Sequence, residues 1–525
     1  MTGHRGVRLR TRLLVLTIAS GCWATLGAQR RPLDGIDAFV EKALVDWQTP
    51  GLTLAVVRRD SVLLAKGYGV REYGRPERVD ENTLFNIGSC SKAFTSAVIA
   101  GLVGDGKVGY EDKAIDHLPW FRLWDPWVTS QVTVRDLMAH RVGADLTIEN
   151  RLWPFASGMQ DLVLRGGRQK PLGGFRERYH YSNNMLVAAG LVAEAVTAKP
   201  FARVLHERLL DPLGMTSTRA SNQEALATPN RAAPHDFVGG KPVAARWDRW
   251  PDSVLLPTGG ISSTAKDMST WLRFQLGRGA FGGRQIVAAE PFDQMHIPHT
   301  PVRGGPVEAA YWFAHVDAKD LHTRHWAYGL AWFVTDYRDR PLVWHGGTVN
   351  GFRCAMALLP EDGAAMYVGV NRITLLPPAM MLTVLDRLIG GEGEGGGRRD
   401  WNAIFLKEAA LQTEDARKAG EARRAARVTG TTPSLPLEGY AGRYVDPAIG
   451  PLEVTVTNGQ LTLRVGGFAG QLTHWHHDTF AANLQGAGGR AAAAPGNTFA
   501  TFTLDGAGRP TQVVVENLGE FTAQR

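Results

Sequence analysis

The stretch that most constrains this chain is Ala93–Val103, Ala-Phe-Thr-Ser-Ala-Val-Ile-Ala-Gly-Leu-Val, a helix-length run with no charged residue on any face. A helix that is apolar all round has no side to turn to water, so it belongs inside a core. Directly before it stands Ser89-Cys90-Ser91-Lys92. The pattern predicts Ser89 at the N-terminal turn of a buried helix, with Lys92 three residues on and on the same face. That placement has a chemical use. A serine hydroxyl is a poor nucleophile until a neighbouring base takes its proton. A lysine desolvated against apolar walls loses pKa and can serve as that base. A helix N-terminus favours an oxyanion. The plainer alternative is a helix cap followed by a lysine that snorkels to water.

The chain repeats the tetrapeptide form once, as Ser263-Thr264-Ala265-Lys266. Here Thr264-x-x-Asp267 reads as a capping box opening a helix that contains Met268, Trp271 and Leu272. Ser263 is therefore expected to mark a helix start, and Ser89 to carry the chemistry.

Strand-like runs flank a helical middle. Residues 51–58 and 62–70, joined by Arg59-Asp60-Ser61, read as a β-hairpin. Helical spacing dominates from there to about residue 275, with helices expected at 91–104, 133–140, 184–198 and 200–210. Strands return at 328–336, 341–345, 352–359 and 364–370. This order predicts an α+β domain, a sheet flanked by helices with a helical insertion. At 525 residues the chain is long enough for more than one domain. Gly390–Gly397 is a glycine-rich break, the charged, Ala-rich stretch 401–427 reads as a solvated spacer helix, and Thr429–Pro436 reads as a linker. From 437 to 525 short alternating strands predict a separate all-β unit, with Asn458-Gly459 at a hairpin tip.

The net charge of +7 suggests a nucleic-acid partner only at first sight, because four positive charges are Arg5, Arg8, Arg10 and Arg12, within 28 residues that hold no Asp or Glu. No long basic run follows, so no nucleic-acid binding is expected. Those basic residues precede the apolar run Leu13–Ala19, then small residues, then Gln29-Arg30-Arg31-Pro32. Residues 1–28 read as a secretory signal peptide, which implies an exported protein, periplasmic or extracellular. Ala19-Ser20-Gly21-Cys22 supports an alternative, a lipoprotein anchored through Cys22. The three cysteines, Cys22, Cys90 and Cys354, exclude a disulfide-stapled scaffold and a multi-cysteine zinc site.

Two further clusters follow Ser89. Tyr181-Ser182-Asn183 comes 92 residues later, before the apolar helix Met185–Val196. A tyrosine beside a cationic lysine loses its proton more easily and can act as a general base, and an asparagine can hydrogen-bond a substrate amide. His345-Gly346-Gly347 comes after a further 164 residues, at the end of the strand 341–344. Paired glycines on a strand let another backbone or a ligand approach. The N–H of Thr348 could then join that of Ser89 as an oxyanion hole. Each cluster alone also fits a cap or turn.

Taken together, Ser-x-x-Lys, Tyr-x-Asn and His-x-Gly in this order resemble the serine β-lactamase-like hydrolases of the class C type, which include class C β-lactamases, penicillin-binding proteins, D-aminopeptidases and esterases. Thr133–Gly143, Leu256–Met268 and Tyr328-Gly329-Leu330 are similar to further segments of that family. The resemblance covers roughly residues 35–390, and the hydrolase domain is placed at 33–390, followed by spacer and linker at 391–436. It implies a β-lactamase/transpeptidase-like antiparallel sheet and an acyl-enzyme on Ser89. Lys92 and Tyr181 would share the general-base work. Asn183 and the His345-Gly346-Gly347 strand would bind substrate, and the N–H groups of Ser89 and Thr348 would form the oxyanion hole. It implies a small-molecule or peptide substrate and neither metal nor cofactor. β-Lactamases and penicillin-binding proteins usually carry Lys where this chain has His345, and that lysine helps recognise a substrate carboxylate. A mostly neutral histidine weakens the contact and is similar to the aminopeptidase and esterase branches. The expected activity is therefore cleavage of an amide or ester. β-Lactam hydrolysis, or a penicillin-binding or sensor protein with a long-lived adduct, are the alternatives. His140 reads as structural. Residues 437–525 resemble the small lipocalin-like barrel behind some of these hydrolases, on Gly439-Tyr440-Ala441-Gly442-Arg443-Tyr444 and the Asn-Gly hairpin.

Three features remain. Cys90 and Cys354 flank two of the motifs and could pair in an oxidising compartment. His474 and His476 would share one face of a strand but lack a carboxylate or cysteine pattern for a metal. Trp120, Trp124, Trp127, Trp153, Trp247 and Trp250 either pack the helical part or wall an acyl pocket.

Overall fold

A computed structural model describes residues 1–3, 32–144, 146–247, 252–304, 313, 316, 318–390, 399–486 and 498–524. Residues 4–28 of the proposed signal peptide, which include Cys22, together with Trp250 and the glycine-rich break from 391 on, lie outside the described residues.

Helix α1 (Ile36–Asp46) leads into strands β1 (Gly51–Arg58) and β2 (Ser61–Gly69), the expected hairpin. β1 alternates across the sheet: Leu52, Leu54 and Val56 enter one core, Ala55 and Val57 the other. A strand buried on both faces needs layers on both sides, and the chain supplies them. The helical insertion follows β2. It contains α2 (Ser91–Gly104), α3 (Leu146–Leu152), α4 (Met159–Gly167), α5 (Asn183–Thr197), α6 (Asp252–Gly259) and α7 (Ala265–Leu276). The sheet resumes with β3 (Thr300–Pro301), β4 (Trp326–Tyr328), β5 (Phe333–Tyr337), β6 (Arg340–Val349), β7 (Phe352–Leu359) and β8 (Ala364–Val370). Its strand order is β2-β1-β8-β7-β6-β5-β4-β3, antiparallel throughout. Helices α8 (Leu376–Leu388) and α9 (Trp401–Ala425) join α1 on one face, and the insertion covers the other. The middle of the insertion is α2, with twelve of its fourteen residues buried, as the charge-free run from Ala93 to Val103 requires.

Two expectations are corrected. The run 328–336 is not one strand but the β4–β5 hairpin, with Tyr328 opposite Phe333. Ala331 adopts φ +66°, and a Cβ at Gly329 would lie 2.3 Å from the Met295 carbonyl, so the chain must turn there. The stretch 401–427 is not solvated along its length. Trp401, Asn402, Phe405 and Glu408 are buried. The indole N–H of Trp401 donates to Asp386 at 2.8 Å, and that of Trp47 to Asn402 at 2.7 Å. The charge pattern hid two turns of inward-facing residues ahead of an exposed half with ion pairs such as Arg417–Glu421.

The C-terminal region folds into a closed eight-stranded antiparallel barrel. Its strands are β9 (Gly442–Asp446), β10 (Gly450–Thr457), β11 (Gln460–Val465), β12 (Phe468–His476), β13 (Thr479–Ala482), β14 (Thr498–Leu504), β15 (Pro510–Val515) and β16 (Gly519–Ala523). The order β11-β10-β9-β16-β15-β14-β13-β12 closes through β11–β12 pairing. Asn458 and Gly459, at φ +52° and +73°, make the two-residue turn between β10 and β11 that the sequence indicates. The barrel interior is filled by side chains such as Leu452, Leu463, Phe480, Phe502 and Phe521. The barrel meets the insertion at two places. Phe468 contacts Phe155 at 5.7 Å between ring centroids, and Arg165 of α4 donates to the carbonyls of Ala448 and Ile449 at 2.6 and 3.1 Å.

Candidate active site

The short strand Phe85–Asn86 delivers the chain to a tight turn at Gly88–Cys90. The Asn86 side chain accepts the Gly88 N–H at 2.7 Å and pins that turn. Gly88 sits at φ +48°, and a Cβ on it would stand 2.7 Å from the Thr348 nitrogen. A Cβ on Gly347 would stand 2.3 Å from the Ile87 carbonyl and 2.8 Å from the Ser89 nitrogen. No side chain fits at either position, so two bare backbones meet. This contact brings the Ser89 turn against the end of β6, with the backbone nitrogens of Ser89 and Thr348 both bordering it.

Lys92 is fully buried. Its Nζ donates to Ser89 Oγ at 3.0 Å and to the Thr258 carbonyl at 3.0 Å, and lies 4.9 Å from the centre of the Tyr181 ring. Thr258 is in the last turn of α6, where helical carbonyls lack intrahelical partners. Burial draws the Lys92 pKa down to about 7, against the opposing pull of Glu149 and Cys90. A neutral amine held this way can accept the Ser89 proton while still donating to Thr258.

Tyr181, Ser182 and Asn183 occupy the entry to α5. Ser182 caps the helix, accepting the Met185 N–H at 3.1 Å. Its own N–H donates to His140 Nδ1 at 3.1 Å, and its hydroxyl donates to Glu149 at 2.6 Å. The His140 ring packs 4.2 Å from Tyr181 and 4.5 Å from Tyr328, and burial holds its pKa well below the usual histidine range. Asn183 Nδ2 donates to Asn150 Oδ1 at 3.1 Å. The structure thus brings Ser89, Lys92, Tyr181 and the β6 glycines into one place.

The β-lactamase family profile matches residues 36–390. The chain belongs to the β-lactamase family. The barrel region, residues 426–524, matches a domain family of unknown function, DUF3471. Among curated relatives, an unguisins hydrolase of Aspergillus campestris is 27% identical over 456 residues, covering 81% of this chain and 78% of that protein. Protein flp of Staphylococcus aureus is 24% identical over 345 residues, covering 64% of this chain and 62% of its own length. Among solved structures, the octameric penicillin-binding protein homologue from Pyrococcus abyssi aligns with a TM-score of 0.59 at 19% identity, over 93% of this chain and all of that one. SurE aligns with a TM-score of 0.53 at 19% identity, over 94% and 99%. These structural likenesses concern the fold, which in the β-lactamase family is that of serine hydrolases and acyl transferases.

In this β-lactamase-family site the histidine-for-lysine difference at residue 345 takes a definite form. His345 is 2% exposed. Its Nδ1–H donates to the Gly346 carbonyl at 2.6 Å, and its Nε2 accepts the Tyr328 hydroxyl at 2.9 Å. Burial, with the Lys92 charge, draws its pKa down to about 3, so the ring is neutral with both nitrogens engaged.

Glu149 and Asn150 were missed by sequence reasoning. Leu146–Leu152 carries no motif, and its Glu-Asn-Arg run reads as surface. Glu149 is 3% exposed, and burial pushes its pKa up to about 7 against the hydrogen bonds that pull it down.

The other candidates sort out plainly. Ser263 is buried in a short strand with its Oγ 2.8 Å from Thr218 Oγ1, and Lys266 is exposed. Thr264 caps α7 as expected, accepting the Asp267 N–H at 3.1 Å. The Asp267 carboxylate turns to Ser217 N–H and Thr218 Oγ1 instead of closing the box. Cys90 and Cys354 are thiols in contact at 3.3 Å, against about 2.05 Å for a disulfide. Trp120, Trp124 and Trp153 pack on the helical core, while Trp247 packs on Phe352 at 4.8 Å. His474 meets the His477 carbonyl at 3.0 Å, His476 accepts the Val428 N–H at 3.1 Å, and a register shift separates the two histidines.

Proposed function

We propose that this chain is an exported serine hydrolase that cleaves an amide or ester bond through an acyl intermediate on Ser89. The observation that carries the reading is the fully buried Lys92 ammonium nitrogen 3.0 Å from Ser89 Oγ. With its pKa near 7, Lys92 is neutral often enough at neutral pH to take the Ser89 proton as the hydroxyl attacks the acyl carbon. The charge that develops on the acyl oxygen is held by the amides of Ser89 and Thr348, which the Gly88–Gly347 contact brings together. Lys92 and Tyr181 pass the proton to the leaving amine or alcohol. They then activate the water that releases the acid and regenerates Ser89. Asn183 and the β6 backbone at His345-Gly346-Gly347 receive the substrate.

The substrate we favour is a peptide or ester without an obligatory carboxylate beside the scissile bond. The neutral, fully engaged His345 ring offers no cation there, and the unguisins hydrolase of Aspergillus campestris matches this chain over 78% of its own length. Export follows from the N-terminal sequence, with lipid attachment at Cys22 as the other route to the same compartment.

The test is intact-mass analysis with a fluorophosphonate, peptide mapping, and turnover of p-nitrophenyl esters and D-amino-acid amides. The expected result is one adduct on Ser89 and loss of turnover. Hydrolysis that survives full labelling of Ser89 would overturn the assignment. A penicillin adduct that persists would move the chain toward penicillin-binding proteins, and one that turns over would move it toward β-lactamases.

A further inference from the structure

Glu149 is a carboxylate buried to 3% exposure in the wall of the site. Its Oε1 accepts the Ser182 hydroxyl at 2.6 Å and its Oε2 the Asn184 N–H at 3.2 Å, and the Asn183 N–H also bonds it. It therefore grips the loop that carries Tyr181 from below, at the positive end of the fifteen-residue helix α5. Its neighbour Asn150 holds the Asn183 amide at 3.1 Å. Three residues past the end of α3, Phe155 fills the space that a side chain at Gly466 would need, 2.8 Å from where that Cβ would stand. The barrel thus braces the segment that grips the catalytic loop.

Both of its oxygens accept, as a carboxylate does and as a Gln amide, with one oxygen and a donating NH2, does not. A buried carboxylate is costly unless an opposite charge compensates it. The hydrogen bonds from Ser182, Asn184 and Asn183 supply most of the compensation, and the cation across the loop adds to them: Lys92 Nζ lies 4.9 Å from the ring of Tyr181, it lowers the Glu149 pKa, and Glu149 raises that of Lys92. The other groups around the pair are Tyr181, His140, His345, Tyr328 and Cys90. Burial keeps both histidines neutral and pushes the Tyr328 phenol and Cys90 thiol up.

We infer that Glu149 is a positioning residue for the hydrolysis proposed above: it seats the Tyr181–Asn183 loop and sets the charge balance of Lys92. The inference rests on that reading of Ser89 and Lys92, and the two can fail separately.

The experiment compares Glu149→Gln, Glu149→Asp and Ser182→Ala in the full chain, by kcat and KM across pH and by the rate of Ser89 labelling with the fluorophosphonate. Glu149→Gln removes the charge that keeps Lys92 protonated, so the acid limb of kcat/KM moves to lower pH. Glu149→Asp keeps the charge but withdraws the oxygens. Its limb stays in place, while kcat falls by roughly tenfold to a hundredfold with KM little changed. Ser182→Ala lowers the rate without moving the limb. A folded Glu149→Gln with the wild-type limb overturns the charge role. Glu149→Asp with wild-type kcat overturns the positioning role, and does so even where Glu149→Gln fails to fold. Absence of any Ser89 adduct in the wild-type enzyme would instead sink the hydrolase reading itself.

Discussion

The two Ser-x-x-Lys tetrapeptides lie closer in space than in sequence. The strand entering the first, Phe85–Asn86, pairs with Ser262–Ser263 of the second, with Phe85 opposite Ser263. Their fates nevertheless differ. Lys92 is fully buried and donates to Ser89, whereas Lys266 is exposed and Ser263 turns its hydroxyl to Thr218. The cause is the helix behind each one. Behind Lys92 the helix is apolar on every side and offers the ammonium no route to water. Behind Lys266 the helix is amphipathic, with Met268, Trp271 and Leu272 inward, and the lysine falls on its outer face. The backbone differs as well. Ser89 follows Gly88 in a turn pressed against the bare strand at Gly347. A short motif therefore means chemistry only where burial and backbone approach agree with it.

That contrast can be broken, starting with the largest effect. Ser89→Ala should remove at least about 10³-fold of kcat with the fold intact, as for other serine nucleophiles. Lys92→Met should do nearly the same and erase the acid limb. In the wild type, Lys92 must be neutral to act as base. Because burial lowers its pKa to about 7, kcat/KM should rise through pH 7 and fall below it. A rate unaffected by pH between 6 and 8 would contradict this role. Gly347→Ala comes next. Its methyl would lie 2.3 Å from the Ile87 carbonyl, so the strand and the Ser89 turn must part. Initial rates should fall by roughly 10²-fold, the scale of a lost oxyanion donor. Smallest is the second tetrapeptide. Ser263→Ala should lower the urea-unfolding free energy by about 1 kcal/mol for its bond to Thr218, and Lys266→Ala by less than about 0.5 kcal/mol, both with turnover retained. Loss of turnover in either would reverse the comparison.

Much of the fold was legible because its signals are local. The buried helix α2, the Asn458-Gly459 hairpin, strands β7 and β8 and the apolar helix α5 each declare themselves in a few consecutive residues. The misreadings came where the signal is not local. Residues 328–336 read as one strand, yet a close approach to Met295 forces a turn within the run. The charges of 401–425 spoke for solvent, while Trp401 and Phe405 answer to a core contributed by α1 and α8. Glu149 left no trace in the sequence, because its partners Ser182, Asn184 and Lys92 are all at least 33 residues away.

The sequence by itself determined which residues could react: a serine and a lysine one helical turn apart, a tyrosine and a glycine pair, on a helix that must be buried. It did so because periodicity and apolar runs are properties of neighbouring residues. Only the tertiary structure decided which serine has a buried lysine beside it, that His345 spends both ring nitrogens inside the protein, and that a carboxylate from α3 stands behind the loop of Tyr181. Those outcomes depend on desolvation and on contacts between distant segments, and neither exists until the chain has packed.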